Sequence, residues 1–489
     1  MCLFPLNYQR TNCGRFSVYA KTVFSLLEIL VLVYNNMLGG RTLIDLMNDE
    51  KKFFHIINYG CQMNESDSEH YAGQLESMCY QSLATYKGAD VVLLNTCCIR
   101  ESAEKKIHGK IGELTHLKKQ KPSSVIIVAG CMAQKDGENL LKKYRQIDLV
   151  LGTFYVNRFC EILDEFLQDR QRKTLVREEA YENEFEGNIL RKSGFSAWVP
   201  IMYGCNNFCT YCIVPYVRGR ERSRPMEEII KEIENAVRQG YKEITLLGQN
   251  VNSYGKDLGE EKLFSRLLLS ADKVAGIERI RFMTSHPRDM SLDVIEAVAQ
   301  GEHLCEHFHL PVQAGSSKII KAMNRGYSKN EYLELIKKVR THLPQASITT
   351  DIIVGFPGES EEDFVDTLDV VSQVGYDAAY TFMFSPRSGT LAASLDEQIP
   401  TVVKKERLKR LMAVQNKNAL AINKNLVGSV QEVMVEGESE KNSENLSGRT
   451  RTNKIVIFAK PEYQIVAGDR VDVMIESAQT WLLKGHIVK

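Results

Sequence analysis

The feature that most constrains this chain is a loop with three closely spaced thiols, Cys205, Cys209 and Cys212. The loop follows an apolar, strand-like run at residues 197–202 and precedes a segment rich in Pro, Gly and Arg. Three thiolates in one loop can bind three corners of a four-iron cluster and leave the fourth iron open to another ligand. Zinc sites usually combine two short Cys-x-x-Cys or Cys/His units, and no second unit lies nearby. An iron–sulfur site is therefore favoured over a zinc knuckle or three unrelated buried cysteines. We call these three residues the loop cysteines.

The composition is that of an ordinary globular protein. Its 489 residues suffice for two to four domains, and 25% of them are charged and 44% hydrophobic. The formal net charge is +0, so any nucleic-acid binding depends on local basic patches rather than on the field of the whole protein. Twelve cysteines in a chain of this length do not indicate a secreted disulfide scaffold. We therefore expect a cytoplasmic protein with cysteines that serve as metal ligands.

The first fifty residues follow a different pattern. Residues 23–34 are strongly apolar and have basic residues before them. This resembles the apolar segment of a signal peptide, but the run is too short to span a bilayer and contains Glu28. We expect residues 1–50 to be a poorly structured extension or an artefact of start-site assignment, and we expect no membrane association.

From Phe53 onward, short β-rich runs alternate with stretches of helical periodicity. The first four of these runs are residues 53–57, 91–94, 125–128 and 149–151. Strands that alternate with helices predict a parallel, Rossmann-like α/β sheet, here within a domain of residues 51–168. The highly charged residues 169–194 lack periodicity and predict a linker.

Three cysteines come just after three of these strands: Cys61, Cys97 and Cys131. In an open parallel sheet, the loops beyond the carboxyl ends of the strands converge on one crevice. The three thiols, here called the strand-end cysteines, are therefore expected to lie together and to hold a second, auxiliary cluster. Cysteine is also a common buried residue, and that simpler interpretation fits Cys79. Cys98 should point away from its neighbour along an extended backbone and is left out of the ligand set.

Residues 195–424 continue as β/α units. Strand-like runs recur at residues 243–247, 279–283, 307–310, 348–354 and 378–384, with helical runs between them. This number of units predicts an open, partial (β/α)6 barrel, with its site at the carboxyl ends of the strands. Any one polar residue there is more often ordinary loop chemistry, but as a set they predict a binding pocket at the barrel mouth. The pocket residues are Gly248, Gln249, Asn250, Ser285, Gln313 and Asp351.

A small C-terminal module begins near Leu426, within residues 425–489. Alternating runs separated by Gly, Asn and Ser turns predict a small all-β barrel. Barrels of this type often bind RNA on a surface groove, and the basic run at residues 449–454 favours that role over a purely structural lid.

The loop cysteines, with Tyr211 just before the last of them, resemble the signature of the radical S-adenosylmethionine (SAM) enzymes. The chain from about Phe53 onward is similar to one branch, the radical-SAM methylthiotransferases, which combine an N-terminal methylthiotransferase domain, a radical-SAM barrel and a C-terminal TRAM domain. The matching stretches, besides the six cysteines, are residues 59–64, 95–97, 100–101, 130–134, 214–224, 309–317 and 448–454.

The resemblance implies an activity and its cofactors. Residues 218–224 and 448–454 are most similar to the members that add a methylthio group to C2 of isopentenyladenosine beside the tRNA anticodon. Such members use two 4Fe-4S clusters and two molecules of SAM. One SAM supplies a methyl group to sulfur at the auxiliary cluster, and the other, bound in the mouth pocket at the loop cysteines, yields the radical that takes hydrogen from C2. No catalytic residue is implied beyond the cluster ligands. The implied partners are tRNA and an electron donor such as flavodoxin or ferredoxin, and the implied state is a monomer.

Seven basic residues are candidates for RNA contact. They are Arg218, Arg220, Arg222, Arg224, Arg449, Arg451 and Lys454. The first four alternate, so in an extended backbone they share one face, where they would grip phosphate or close the pocket beside the auxiliary cluster. Two alternative functions stay open. One is a sibling methylthiotransferase that acts on threonylcarbamoyladenosine or on an aspartate of a ribosomal protein. The other is a non-catalytic, metal-containing RNA-binding protein.

Overall fold

The computed structural model describes residues 51–98, 101–177 and 188–488, so the expectation for residues 1–50 lies outside it. The first six strands form one sheet in the order β2-β1-β3-β4-β5-β6. The strands are β1 (Lys52–Tyr59), β2 (Tyr80–Ser82), β3 (Val91–Thr96), β4 (Val125–Gly130), β5 (Leu149–Leu151) and β6 (Lys173–Leu175). The helices between them are α1 (Gln62–Ser77), α2 (Glu101–Gln120), α3 (Cys131–Lys143) and α4 (Phe159–Asp169).

This sheet is parallel from β1 through β6 and is covered on both faces. Alternate residues of the fully buried strand β3 point to opposite sides. Val92 and Leu94 belong to an apolar core that includes residues of α2 and α3, whereas Val91 and Leu93 belong to one that includes residues of α1 and α4. Helices on both faces of a parallel sheet confirm the predicted Rossmann-like α/β fold.

The predicted linker is wrong in part, because β6 lies inside residues 169–194. β6 pairs with β5 and adds a sixth strand at the edge of the sheet. All three of its residues are only half-buried. An edge strand of this kind tolerates charged residues, which is why its Lys- and Arg-rich surroundings concealed it in the sequence.

The central part contains six parallel strands in two three-stranded sheets. They are β7 (Ser196–Pro200), β10 (Glu243–Leu247), β11 (Arg279–Phe282), β12 (His307–His309), β13 (Ser347–Val354) and β14 (Ala378–Met383). An isolated parallel bridge between Ile280 and Leu304 connects the two sheets. The hairpin β8 (Met202–Tyr203) and β9 (Arg222–Ser223) and the short helix α5 (Val214–Arg218) lie between β7 and β10. The remaining helices are α6 (Met226–Arg238), α7 (Leu263–Asp272), α8 (Leu292–Gln300), α9 (Ser317–Ala322), α10 (Lys329–His342) and α11 (Glu361–Val374). The partial barrel is confirmed.

A long helix that the sequence pattern did not predict closes this part: α12 (Thr401–Lys424). Its buried face carries polar side chains, including Lys404, Arg407 and Gln415. Arg407 forms an ion pair of 2.8 Å with the buried Glu359, and Gln415 donates to the carbonyl of Tyr376. A helix buried through polar contacts shows little apolar periodicity, and this explains why it was missed.

The C-terminal part is a closed barrel in the order β15-β16-β17-β19-β18. Its strands are β15 (Val430–Ser439), β16 (Asn442–Thr450), β17 (Ile455–Ala459), β18 (Arg470–Ala478) and β19 (Leu483–Ile487). The predicted small β-barrel is confirmed. The sequence pattern did not predict β16, because Leu446 is the one large apolar residue that this strand contributes to the barrel core. Among the described residues, no helix is long and apolar enough to cross a membrane.

Candidate functional site

The sheet register brings the strand-end cysteines to one edge. Tyr59 of β1 pairs with Thr96 of β3, and Thr96 pairs with Gly130 of β4. Cys61, Cys97 and Cys131 follow these aligned residues directly or after one residue. Cys97 and Cys131 are buried and Cys61 is exposed. Three thiols from strands distant in sequence therefore meet at the carboxyl edge of the sheet.

Two asparagines fasten the loops that carry these thiols. Asn64 donates from Nδ2 to Oδ1 of Asn95 at 3.1 Å, and Asn95 donates from Nδ2 to the carbonyl of Asn64 at 2.6 Å. The Cys61 thiol donates to Oδ1 of Asn64 at 3.4 Å. Gly130 has a φ of 93°, and a Cβ there would lie 2.5 Å from Oδ1 of Asn95. Glycine is therefore required where the β4 backbone crosses this amide pair.

Cys98 does not point away from the strand-end cysteines, and that prediction is wrong. Its side chain is fully buried in the same apolar core as Cys131. The Cys98 thiol donates a hydrogen bond to the Cys131 sulfur, which lowers the pKa of Cys131 and raises that of Cys98. The backbone after β3 is no longer extended at this point, so the alternation of an ideal strand did not apply. A lowered pKa favours the thiolate form of Cys131, which is the form that binds iron.

Arg218 connects this site to the central domain. It is only 6% exposed, and its Nη2 donates to Oδ2 of Asp67 at 2.8 Å. Arg218 also lies close enough to Cys61 and Cys131 to lower the pKa of each thiol, opposing the increase that burial causes. The residue is the last of α5, whose Val217 is buried in the apolar core of the N-terminal sheet. A buried guanidinium thus offsets negative charge that collects at the strand-end cysteines.

The loop cysteines lie between β8 and α5. Cys209 is buried, Cys205 and Cys212 are half-buried, and the Cys212 N–H donates to the Cys209 carbonyl at 2.9 Å. Gly204 has a φ of 73°, and a Cβ there would lie 2.0 Å from the Arg220 carbonyl, so the loop requires glycine. Burial raises the pKa of Cys205 to about 11 and that of Cys212 to about 12. Both thiols are therefore neutral at pH 7 until a metal displaces their protons.

Arg325 is a functional residue that no sequence pattern indicated. It is buried, and its Nη1 donates to the Sγ of Cys209 at 3.4 Å. Its Nη2 donates to the Pro311 carbonyl at 2.7 Å, and its Nε donates to the Tyr327 hydroxyl at 3.1 Å. The residue lies in a short connection between α9 and α10, 116 positions from Cys209. The fold alone places this cation beside the loop cysteines, where it stabilises a thiolate.

Both cysteine sets suit four-iron clusters by their donor chemistry. Each offers three thiols with a buried arginine beside them, and thiolates are the usual ligands of such clusters. Within the described ranges, no three His, Cys, Asp or Glu side chains are arranged to hold a single metal ion. A four-iron cluster binds its thiolates on different irons, so its ligands stand farther apart than those of one ion.

Three buried polar atoms beyond the carboxyl ends of β10 and β11 have no partner among the described residues. These are Oδ1 of Asn250 and Oγ of Ser285, together with Nε2 of the neighbouring His286. Asn250 is fixed by its Nδ2, which donates to Asp289 at 2.8 Å. Buried polar groups without a partner cost free energy unless a ligand satisfies them. A ligand with hydrogen-bond donors and acceptors would satisfy these three atoms.

The other predicted residues of the mouth pocket hold its backbone or line the barrel. The Gly248 carbonyl accepts from the Thr284 hydroxyl at 2.6 Å, and Gln249 next to it is half-buried. Gln313 has a φ of 67° and donates its N–H to the Asp351 carbonyl at 2.9 Å. The Asp351 carboxylate lies 3.6 Å from Nε2 of His309. All six predicted residues follow or belong to strands β10 to β13, so the barrel brings them to one end.

Comparison with known proteins decides the family. Three family models match: "Radical SAM superfamily" over residues 199–371, "Uncharacterized protein family UPF0004" over residues 53–152, and "TRAM domain" over residues 424–488. The tRNA-2-methylthio-N(6)-dimethylallyladenosine synthase of Acetivibrio thermocellus is 49% identical over 91% of this chain and 93% of its own length. The synthase of the same name from Clostridium perfringens is 51% identical over 90% of this chain and 99% of its own. This chain belongs to the tRNA-2-methylthio-N(6)-dimethylallyladenosine synthase family of radical-SAM methylthiotransferases.

A solved structure agrees with the methylthiotransferase fold. The radical SAM methyltransferase TsrM from Kitasatospora setae, with cobalamin and a [4Fe-4S] cluster bound, has a TM-score of 0.51 and 12% identity. The similarity covers 70% of this chain and 74% of that chain, and at this identity it concerns the fold alone. Membership of the radical SAM superfamily implies SAM and a 4Fe-4S cluster as cofactors.

The structure revises several predicted RNA contacts of this methylthiotransferase. The expected extended run of arginines is wrong, because Arg218 ends a helix and only Arg222 lies in a strand. Arg218 forms an ion pair of 2.8 Å with Asp67, and Arg224 forms one of 2.8 Å with Glu232. Of the two roles considered for this run, closing the site beside the strand-end cysteines fits Arg218 better than phosphate contact.

Arg220 and Arg222 remain exposed and stack over aromatic rings. The Arg220 guanidinium lies 4.3 Å from the ring centre of Phe208, and that of Arg222 lies 5.5 Å from the ring centre of Tyr203. Arg222 also lines a small cleft of about 60 Å³ that has Arg218 in its wall. These two arginines are therefore the members of the run that are available to a partner.

The basic run of the small barrel fastens that barrel to the central domain. Arg451 forms an ion pair of 2.7 Å with Glu306, and Lys454 forms one of 2.6 Å with Asp377. Both basic side chains are largely buried by these contacts, so the prediction that they grip RNA is not supported. Arg449 is paired with Glu436 at 2.7 Å but keeps about a third of its side chain exposed. It is the member of this run that an RNA could still reach.

Proposed function

We propose that this protein adds a methylthio group to C2 of N6-isopentenyladenosine beside the anticodon of tRNA, using SAM and two 4Fe-4S clusters. The observation that carries the proposal is the position of α5. The helix begins two residues after the last loop cysteine, and its final residue, Arg218, lies against Cys61 and Cys131. Two three-thiol sets are thereby joined through five residues of one helix, as a reaction that uses both sites requires.

The loop cysteines would hold the cluster that binds SAM through its open iron. When bound, these groups supply a radical that can remove hydrogen from an aromatic carbon, which acid–base chemistry cannot do. The protein's own part is to orient and to protect. Arg325 would orient Cys209 by donating to its Sγ, and the unpartnered polar atoms of Asn250 and Ser285 would hold the SAM molecule.

The strand-end cysteines would hold the auxiliary cluster, which would supply the sulfur of the methylthio group. Cys61 is the member of the set whose residue is exposed at the protein surface. Arg218 offsets the added negative charge there. The target adenosine must leave its stack to reach the space between the two cysteine sets, as bases do in other base-modifying enzymes.

The relatives favour the isopentenyl side chain over its siblings, since those compared carry the name of dimethylallyladenosine synthases. The same proposal includes an electron donor such as flavodoxin or ferredoxin, a monomeric enzyme and a cytoplasmic location. A non-catalytic RNA-binding role is disfavoured by the mouth pocket, whose buried polar atoms without a partner suit a small ligand rather than an RNA surface.

The test uses reduced, anaerobic protein with SAM and three anticodon stem-loop RNAs that differ only at the target adenosine. These carry isopentenyladenosine, threonylcarbamoyladenosine or unmodified adenosine, and nucleoside mass spectrometry detects the product. We expect a mass increase for a methylthio group on the isopentenyl RNA alone. Product on the threonylcarbamoyl RNA would indicate the sibling activity, and no release of 5′-deoxyadenosine would overturn the enzyme proposal.

A further inference from the structure

A cluster of planar side chains lies on the surface beside the loop cysteines. Tyr216 is the one residue of α5 that points outward, and it is 59% exposed although the other four residues of the helix are buried. Its ring meets the edge of the Phe208 ring, with 6.1 Å between the ring centres. The exposed Arg220 lies over the same Phe208 ring at 4.3 Å. We call Phe208, Tyr216 and Arg220 the aromatic platform.

Backbone contacts hold the platform in a fixed position. Phe208 has a φ of 46°, an uncommon conformation for an aromatic residue, and the Asn324 amide donates to its carbonyl at 3.1 Å. The Cys205 N–H donates to the Gly219 carbonyl at 3.1 Å, and the N–H of Asn206 donates to Glu221 at 3.1 Å. These bonds tie the cluster loop to the segment that carries Arg220. A strained residue that its surroundings keep in place is often functional.

The aromatic platform lies close to the loop cysteines along the chain. α5 connects the loop cysteines to Arg218, which lies near Cys61, so Tyr216 is exposed on the helix that joins the two cysteine sets. Within the described part of the chain, Arg220 has no carboxylate at ion-pairing distance, so its guanidinium plane is available to a partner. Isolated exposed tyrosines are common on protein surfaces, but this one contacts a phenylalanine ring that carries a stacked cation and directly precedes Cys209.

We propose that the aromatic platform stacks an unpaired nucleobase next to the target adenosine and so holds the anticodon loop open while the target enters the site. The inference rests on the proposed function, because it takes tRNA as the substrate. Proteins bind single-stranded RNA by stacking its bases on aromatic rings and guanidinium planes, and the contact is sequence-tolerant because every base has a flat face. Phosphate contact alone would not require a tyrosine and a phenylalanine.

The experiment uses the full-length, cluster-loaded protein and an anticodon stem-loop RNA with isopentenyladenosine. One RNA carries the fluorescent base 2-aminopurine on the 5′ side of the target and a second carries it on the 3′ side, since stacking on an aromatic ring changes its fluorescence. We expect a fluorescence change on binding for at least one of the two RNAs. Tyr216→Ala should abolish that change and weaken binding by about 5- to 100-fold, whereas Tyr216→Phe should keep both within about twofold.

Two further variants separate stacking from charge. Arg220→Lys keeps the charge but loses the plane, so it should reduce the 2-aminopurine signal without altering the slope of affinity against salt. If Arg220 binds phosphate instead, Arg220→Lys would keep the signal and Arg220→Ala would flatten the slope by about 0.7–0.9. The control is Tyr463→Ala, which removes an equally exposed tyrosine from the small barrel and should leave the signal unchanged.

The results for Tyr216→Ala and for the wild-type protein test the aromatic platform and the enzyme activity separately. Unchanged binding and fluorescence in Tyr216→Ala, with methylthio product from the wild-type protein, would overturn the aromatic platform and leave the enzyme activity standing. The absence of product from the wild-type protein on all three stem-loop RNAs would contradict the proposed function itself. Iron content measured on each variant ensures that a loss of binding does not reflect a lost cluster.

Discussion

Lys454 could either bind a tRNA phosphate or attach the small barrel to the central domain, and its contacts favour the second role. Its Nζ lies 2.6 Å from Oδ1 of Asp377, and the two side chains are 11% and 8% exposed. It also donates to Oδ1 of Asn423 at 2.9 Å. Because Asp377 directly precedes β14 and Lys454 belongs to the turn between β16 and β17, the pair fastens the small barrel to the central domain. We expect Lys454→Met to weaken this attachment and not the grip on tRNA.

The size of the expected loss of stability in Lys454→Met follows from how deeply the Lys454–Asp377 pair is buried. Removing one partner of a buried ion pair costs about 3–5 kcal/mol, whereas an exposed pair is worth about 0–1 kcal/mol. With roughly a tenth of each side chain exposed, we expect a loss of about 2–4 kcal/mol. At a denaturant dependence of about 2 kcal/mol per molar urea, the unfolding midpoint of the small barrel should fall by about 1–2 M.

The assay uses the two tryptophans of the chain, Trp198 in β7 and Trp481 in the small barrel. In a Trp198→Phe background, the remaining tryptophan, Trp481, reports on the small barrel. Asp377→Asn should lower the midpoint in the same way as Lys454→Met, because it breaks the same pair from the other side. Lys460→Met is the matched control. It removes a pair with Glu438 that is 38% and 62% exposed, and it should change stability by at most about 1 kcal/mol.

Two results together would contradict the architectural role of Lys454. If Lys454→Met unfolds like Lys460→Met, and also flattens the salt dependence of tRNA binding by about 0.7–0.9, Lys454 is a phosphate ligand. In that case the ion pair with Asp377 contributes little to the attachment of the barrel.

The remaining predictions concern the cysteine sets and their arginines. Cys209→Ala should abolish SAM cleavage and leave about half of the bound iron, since the strand-end cysteines belong to a separate sheet; loss of all iron would contradict that independence. Cys97→Ala should retain SAM cleavage but yield no methylthio product by nucleoside mass spectrometry, and normal product formation would exclude it as a ligand. Cys98→Ala should lower stability by about 1 kcal/mol through the buried volume it removes, with iron content unchanged; loss of the auxiliary cluster would show that the Cys98 thiol is needed there, as a ligand or through its hydrogen bond to Cys131. Arg325→Met should shift the reduction potential of the loop-cysteine cluster to more negative values in a spectroscopic titration, because a cation beside Cys209 is removed; the auxiliary cluster, measured in the same titration, is the internal control.

The sequence predicted those features that depend on local pattern. Alternating strands and helices imply a parallel sheet, and a parallel sheet places Cys61, Cys97 and Cys131 at one edge whatever the details of packing. The spacing of the loop cysteines likewise implies a single local site. The barrel strands follow from short apolar runs, since such strands are buried on both faces.

Features that lack an apolar pattern were missed. β6 is a half-buried edge strand, the outer half of β16 is polar, and α12 is held by polar contacts such as that of Arg407 with Glu359. In each case, the energy that orders the segment comes from partners far away in the chain. The pattern of residues within the segment therefore does not indicate those partners.

The sequence by itself determined the fold class and the family, and it divided six cysteines into two sets, because each of these rests on spacing and periodicity within short stretches. Only the tertiary structure decided which arginines serve which purpose. Arg218 and Arg220 are two positions apart, yet one is buried against Asp67 and the other lies on the surface over Phe208. Arg325 reaches Cys209 across 116 positions. The role of a charged side chain depends on its burial and its partner, and both are set by long-range packing that one sequence does not contain.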